Sequence, residues 1–195
     1  MSLQTNTNMN LQENKKLVLR KDLIKLFYEI QKDTNRKDLD GMVISFKNKC
    51  IYVTDGLFLL KYKIDCQDQN EIGEFLIDGN FLSAINSQNS DVELTFENGA
   101  IIARFQNGTV LECKNNPSNH KNSEDFENVL KKSDTSSFPI YISDVVWKKI
   151  SKLVKYFKSI QITHSEMFNS GRGIFGKAFG QTQNCEFVFA FEVKI

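Results

Sequence analysis

One order of elements passes along this chain three times. Each passage is a short apolar strand, an amphipathic helix, and then three strands joined by tight turns. The first begins with Leu17, Val18 and Leu19 and continues into "RKDLIKLFYEIQKD" (20–33). There Leu23, Ile24, Phe27, Tyr28 and Ile30 recur at helical spacing. "MVISFKNKCIYVTDGLFLLKYKI" then supplies three strands turning at Lys47-Asn48 and Asp55-Gly56. The second passage opens with "EFLI" (74–77), and Asp78 is a ready N-cap for a short helix with Phe81, Leu82 and Ile85 on one face. Its three strands, "DVELTFENGAIIARFQNGTVLECK" (91–114), are joined by Asn98-Gly99 and Asn107-Gly108, both strong hairpin turns. The third passage runs from "FPIYI" (138–142) through a helix capped by Ser143 to "SIQITHS", "GIFGKAFG" and "CEFVFAFEVKI". Repetition of this kind decides the architecture before any single element does. The expected fold is α+β, built of β-α-β-β-β units with antiparallel sheets and helices on one face.

The repeat divides the chain into a polar tail (1–16), two paired units (17–115), a linker (116–137) and a third unit (138–195). The tail has no periodicity and too little apolar surface to offset the entropy of ordering. The linker stretch is rich in Asn, Ser and Lys, with a buried turn expected at Phe126 and Val129-Leu130.

A formal charge of +1 excludes a wholly basic nucleic-acid binder but leaves room for a local basic face. No apolar run approaches the length of a membrane-crossing helix, and the N-terminal stretch lacks a signal-peptide core. Cys50, Cys66, Cys113 and Cys185 form no C-x-x-C pair and have no His at ligand spacing. They are expected as reduced thiols in a cytoplasmic protein that carries no metal and no cofactor. "NSGRGIFGKAFG" (169–180) lacks the phosphate-binding pattern, because Gly176-Lys177 is followed by Ala178 and lies between strands. His120 lies in the linker, and His164 stands beside Ser165 and Glu166 without the residue order or nucleophile elbow of a catalytic triad. The expectation is a non-enzyme.

The three units carry a resemblance. "VTDGLFL" resembles the "ATDGHRL" turn of the sliding DNA clamps, the family of the bacterial DNA polymerase III β subunit. "EFLIDGNFLSAI" is similar to the strand and short helix that open that family's second half-domain. "SEDFENVL" is similar to its "FPDYxxVLP" connector, and "FVFAFEVKI" to its closing "YVVMPMRL". The family's usual His-Arg after Thr-Asp-Gly is Leu57-Phe58 here. The chain has three half-domains, so a ring of the family's twelve would take four copies.

The resemblance implies a processivity or replication-accessory protein, encoded by a phage, plasmid or bacterium. It would hold double-stranded DNA, a polymerase-type peptide, or both, and could assemble as a homo-oligomer. It also implies a peptide groove, with Thr54, Gly56, Leu57, Phe58 and Leu59 on one side and Phe189, Phe191, Val193 and Ile195 on the other. The bland reading of Leu57 to Leu60 is a core hairpin. The rival function is an interaction module that keeps the clamp fold without encircling DNA.

A DNA face is read from lysines. Helix 143–158 carries Lys148, Lys149, Lys152 and Lys155 within about one third of its circumference at 100° per residue. They lie opposite a stripe of Trp147, Ile150 and Val154, which makes Trp147 an expected core anchor. Helix 20–33 adds Lys21 and Lys25, diluted by Asp22 and Glu29. Such a face would contact phosphates and read no sequence.

Overall fold

The computed structural model describes residues 15–56, 58–65, 73–97, 99–116, 120–131, 135–136, 144–153, 160–165, 174–180 and 185–191. The first unit comprises β1 (Lys15–Leu19), α1 (Lys21–Gln31), β2 (Met42–Ser45), β3 (Cys50–Thr54) and β4 (Phe58–Lys63). The second comprises β5 (Glu74–Ile77), α2 (Gly79–Ser87), β6 (Val92–Glu97), β7 (Ala100–Phe105) and β8 (Val110–Lys114). Helix α3 (Ser123–Lys131) follows. The third unit comprises β9 (Thr135–Ser136), α4 (Asp144–Leu153), β10 (Ile160–Ser165), β11 (Ile174–Gly180) and β12 (Cys185–Phe191). Through the first two units the order read from the sequence is the order found; the strand expected to open the third, 138–142, lies outside the described residues, and β9 stands before it at Thr135–Ser136. The first strand starts two residues earlier than expected, so Lys15 and Lys16 belong to β1 and not to the tail.

The first two units exchange their opening strands. β1 pairs antiparallel with β6, so the first sheet runs β1-β6-β7-β8. β5 pairs antiparallel with β2, so the second sheet begins β5-β2-β3-β4. In each unit the helix carries the chain away after its first strand, which leaves that strand to complete the other unit's sheet. Neither unit is therefore a closed fold alone. α1 and α2 lie together over both sheets, and Ile24, Phe27, Ile30, Phe81, Leu82 and Ile85 fill the space beneath them. Asp78 caps α2 as expected, its carboxylate accepting the Phe81 amide at 2.8 Å.

The second sheet does not stop at β4. β12 adds to it antiparallel, followed by β11, β10 and β9, giving eight strands. The third unit is thus fused to the first through main-chain hydrogen bonds.

Both faces of this sheet are covered in its first half. Met42, Ile44, Ile51, Val53, Phe58 and Leu60 point toward α1 and α2. Val43, Cys50, Tyr52, Leu59 and Leu76 point the other way, where Phe126 and Leu130 of α3 meet them with Leu39. Burying each of those two side chains contributes about 1.5–3 kcal/mol. The stretch expected as a linker is therefore, over 123–131, a packed helix. A capping box starts it: Asn122 accepts the Asp125 amide at 2.9 Å and Asp125 accepts the Asn122 amide at 3.1 Å. Tyr52 stacks on Phe126 with ring centroids 5.6 Å apart and donates to Glu127, which also pairs with Lys61 at 2.7 Å. Burial and the Glu127 carboxylate push the Tyr52 hydroxyl far above its ordinary pKa, so it stays a donor.

Candidate functional site

The Thr-Asp-Gly turn links β3 to β4 and is fastened by its own side chains. Gly56 has φ of 91°, a conformation that a side chain would strain. Thr54 Oγ1 accepts the Gly56 amide at 3.0 Å, and Asp55 Oδ1 accepts the Phe58 amide at 2.7 Å. The other Asp55 oxygen receives Lys149 Nζ, which arrives from α4 in the third unit. The Asp55 side chain is 3% exposed and that of Lys149 13%. The ammonium also donates to the Ile30 carbonyl at 3.3 Å, lies 3.5 Å from Asp33, and sits 5.5 Å from the centroid of the Phe58 ring. It therefore satisfies the C-terminal end of α1, the turn and an aromatic face together.

This geometry changes two expectations. Lys149 was placed on the DNA face, but its charge is turned inward and spent on the junction between units. Trp147 was placed in the core, but it is 54% exposed, while Ile150 enters the core. The helix is rotated from the sequence reading: with Lys149 turned in to buried Asp55, Ile150 keeps its expected inward place and Trp147 turns out. Lys148 and Lys152 are exposed. Lys155 and Val154 lie outside the described residues. On α1, Lys21 and Lys25 are half-exposed.

The two stretches expected to form a groove are brought together, as neighbouring strands. Phe58 pairs with Phe189 and Leu59 with Val188 in the β4–β12 register. The walls are another matter. Phe58 is 1% exposed under the helices, and Leu59 is buried on the opposite face beneath α3. Alternation along β4 explains this: successive side chains enter different cores, so neither is a solvent-facing wall. Thr54 is buried too, while Gly56 is exposed. Phe189 and Phe191 lie on β12, and Leu57, Val193 and Ile195 fall outside the described residues.

Sequence reasoning quoted Asp55 only as a turn residue. The missed signal was its pairing with Lys149, which no pattern within one segment could reveal. Cys50 and Cys113 are free thiols. Among the described residues no three His, Cys, Asp or Glu side chains gather as a metal site, and no helix is long and apolar enough to cross a membrane.

No protein-family model and no curated protein matches the chain. Solved structures do. The chain is similar to the DNA polymerase III subunit β of Borrelia burgdorferi, at 12% identity and a TM-score of 0.60, over 92% of this chain and 63% of that one. It is similar to the Helicobacter pylori β clamp bound to a DNA ligase peptide, at 10% identity and a TM-score of 0.57, over 92% of this chain and 65% of that one. It is also similar to A. fulgidus PCNA bound to the C-terminal region of FEN-1, at 9% identity and a TM-score of 0.56, over 92% of this chain and 98% of that one. The chain thus spans less than two thirds of the length of these two β subunits. What is shared at such identities is the course of the backbone, and by that measure the chain has the fold of the sliding DNA clamps.

Proposed function

We propose that this chain is a non-catalytic replication-accessory protein that holds duplex DNA through phosphate contacts, without reading sequence. The observation that carries the reading is the outer arc of α4, where Lys148 and Lys152 are exposed with no carboxylate between them, on a helix of a clamp fold. Lys21 and Lys25 on α1 extend the same charge. Lys149 is not part of this face. β8 is an edge strand of the described sheet and holds the place in its unit that β4 holds in the first, where β12 adds to it. That open edge supports a homo-oligomer.

A second reading, capture of a partner peptide, rests on the β4–β12 junction. Two of the similar structures are clamps with a bound peptide. With Thr54, Phe58 and Leu59 buried, the contacts on this chain would fall to Gly56 and Leu57 and to Phe189, Phe191, Val193 and Ile195. An interaction module without DNA binding would keep this junction and ignore the lysines.

The test is fluorescence anisotropy with labelled duplexes of unrelated sequence over a range of salt. Affinity should fall steeply with salt and be blind to sequence, and K148E/K152E should reduce the logarithmic salt slope by about 2. Unchanged binding by that variant, or a preference for one duplex, would remove the reading.

A further inference from the structure

Trp147 is the chain's one tryptophan, and it is also the one aromatic side chain among the exposed large hydrophobics of the described residues. The others are Val18, Val110 and Val129. Leaving it outside keeps on the order of 100 Å² of indole in water. Its neighbours on the helix are informative. At 100° per residue, Trp147, Ser151, Lys148 and Lys152 fall in that order across an arc of about 140°. All four are exposed. Ile150 and Lys149 occupy the opposite side, in the core and on Asp55. Ser151 Oγ donates back to the Trp147 carbonyl at 2.8 Å, so it presents no competing donor to the indole. Lys148 and Lys152 stand one turn apart, about 6 Å along the axis.

The arc's one acid, Asp144, stands at the first residue of α4, a turn before Lys148; beyond it, a flat aromatic face bordered by two ammonium groups suits a ligand that combines an anionic backbone with aromatic planes. That is a nucleic acid. Duplex DNA offers the lysines its phosphates but gives the indole nothing, because each base face is already covered by its neighbours. Only an unpaired base has a free face. We propose that the outer arc of α4 is a single-stranded DNA site, in which one unpaired base stacks on Trp147 while Lys148 and Lys152 hold the flanking phosphates. The proposal rests on the nucleic-acid reading above and adds a substrate class to it. A protein partner docking on Trp147 would be expected to bring carboxylates to the same lysines, and the test separates that case.

Because the chain has a single tryptophan, its tryptophan emission, excited selectively over tyrosine, reports this position alone. The full chain is titrated at low salt with short oligo(dT), with a duplex of equal length, and with oligo(rU). Oligo(dT) should quench the emission strongly and the duplex weakly. W147A should weaken oligo(dT) binding, measured by anisotropy, roughly 5- to 100-fold, W147F less, and both should bind the duplex as the wild type does. Circular dichroism on each variant confirms that the fold is kept. No quenching by oligo(dT), equal quenching by the duplex, or W147A binding oligo(dT) like wild type would overturn the proposal. Tighter binding of oligo(rU) would overturn its assignment to DNA. If duplex binding persists in any of these cases, the function proposed above stands without this site. If duplex binding is absent while oligo(dT) binds through Trp147, that function fails and the single-strand site remains.

Discussion

Lys149 of α4 places its ammonium on the carboxylate of Asp55, joining the third unit to the Thr-Asp-Gly turn of the first. Both side chains are largely withdrawn from water, so removing one strands the other's charge. Lys149→Ala should cost about 3–5 kcal/mol. Asp55→Asn should also destabilise, because it removes the charge that Lys149 faces while leaving the amide acceptor for Phe58. A double-mutant cycle read from urea midpoints should show strong coupling. A Lys149→Ala variant as stable as wild type would mean that the β4–β12 strand pairing alone fixes the third unit. The consequence for binding experiments is direct. Changing every lysine of α4 to Glu would unfold the junction, so only Lys148 and Lys152 can report on DNA.

Phe58→Asp separates a core residue from a groove residue. The ring lies under α1 and α2 and against the Lys149 ammonium. Introducing a carboxylate there adds a desolvation penalty to the lost packing, so a loss of at least about 4 kcal/mol is expected. Thermal unfolding measures it. A stable Phe58→Asp chain would put the side chain at the surface and return it to a peptide groove.

Trp147→Ala should behave in the opposite way. An exposed side chain contributes little to folding, and Ala has the higher helix propensity. The urea midpoint should move by no more than about 0.5 kcal/mol in equivalent stability. Ile150→Ala should cost about 2–5 kcal/mol in the same assay. If Trp147→Ala costs as much as Ile150→Ala, α4 sits in the orientation that its sequence suggested.

The fold was legible because local signals agreed with one another. Asn107-Gly108 turns between β7 and β8, Asp78 caps α2, and the unit order specified three rounds of strand and helix. The strand exchange could not be read, since pairing of β1 with β6 depends on where α1 carries the chain. Helix α3 was missed although Asn122 and Asp125 spell its capping box and Phe126 and Leu130 stand four residues apart; the polar residues around them hid a two-residue apolar stripe. The candidate site failed at finer grain. Alternation along β4 was visible, but a second core beneath α3 was not, and without it Leu59 stood open between a core hairpin and a pocket. The α4 lysines were grouped by angle, and only the fold revealed that one of them has a buried partner.

The thiol of Cys113 on β8 gives a prediction about pH. Burial, followed by the negative charges of Asp78 and Glu112, pushes it up to about 11 from an ordinary value of 9.0. The folded chain therefore keeps a proton that the unfolded chain releases. Below the unfolded value the group's contribution to stability is fully present. As pH rises from about 9 toward 11 the unfolded state ionises first, and that contribution is lost. Cys50 is shifted in the same direction by its burial, so it adds to the same alkaline loss. Urea midpoints measured across this range should fall more steeply for wild type than for C113S, and the remaining slope of C113S should shrink again in C50A/C113S. Native Cys113 should also react with iodoacetamide at pH 8.5 more slowly than the urea-unfolded chain, because the thiolate is the nucleophile. Equal rates in the two states, together with parallel pH profiles for C113S and wild type, would show that β8 leaves this thiol open to water.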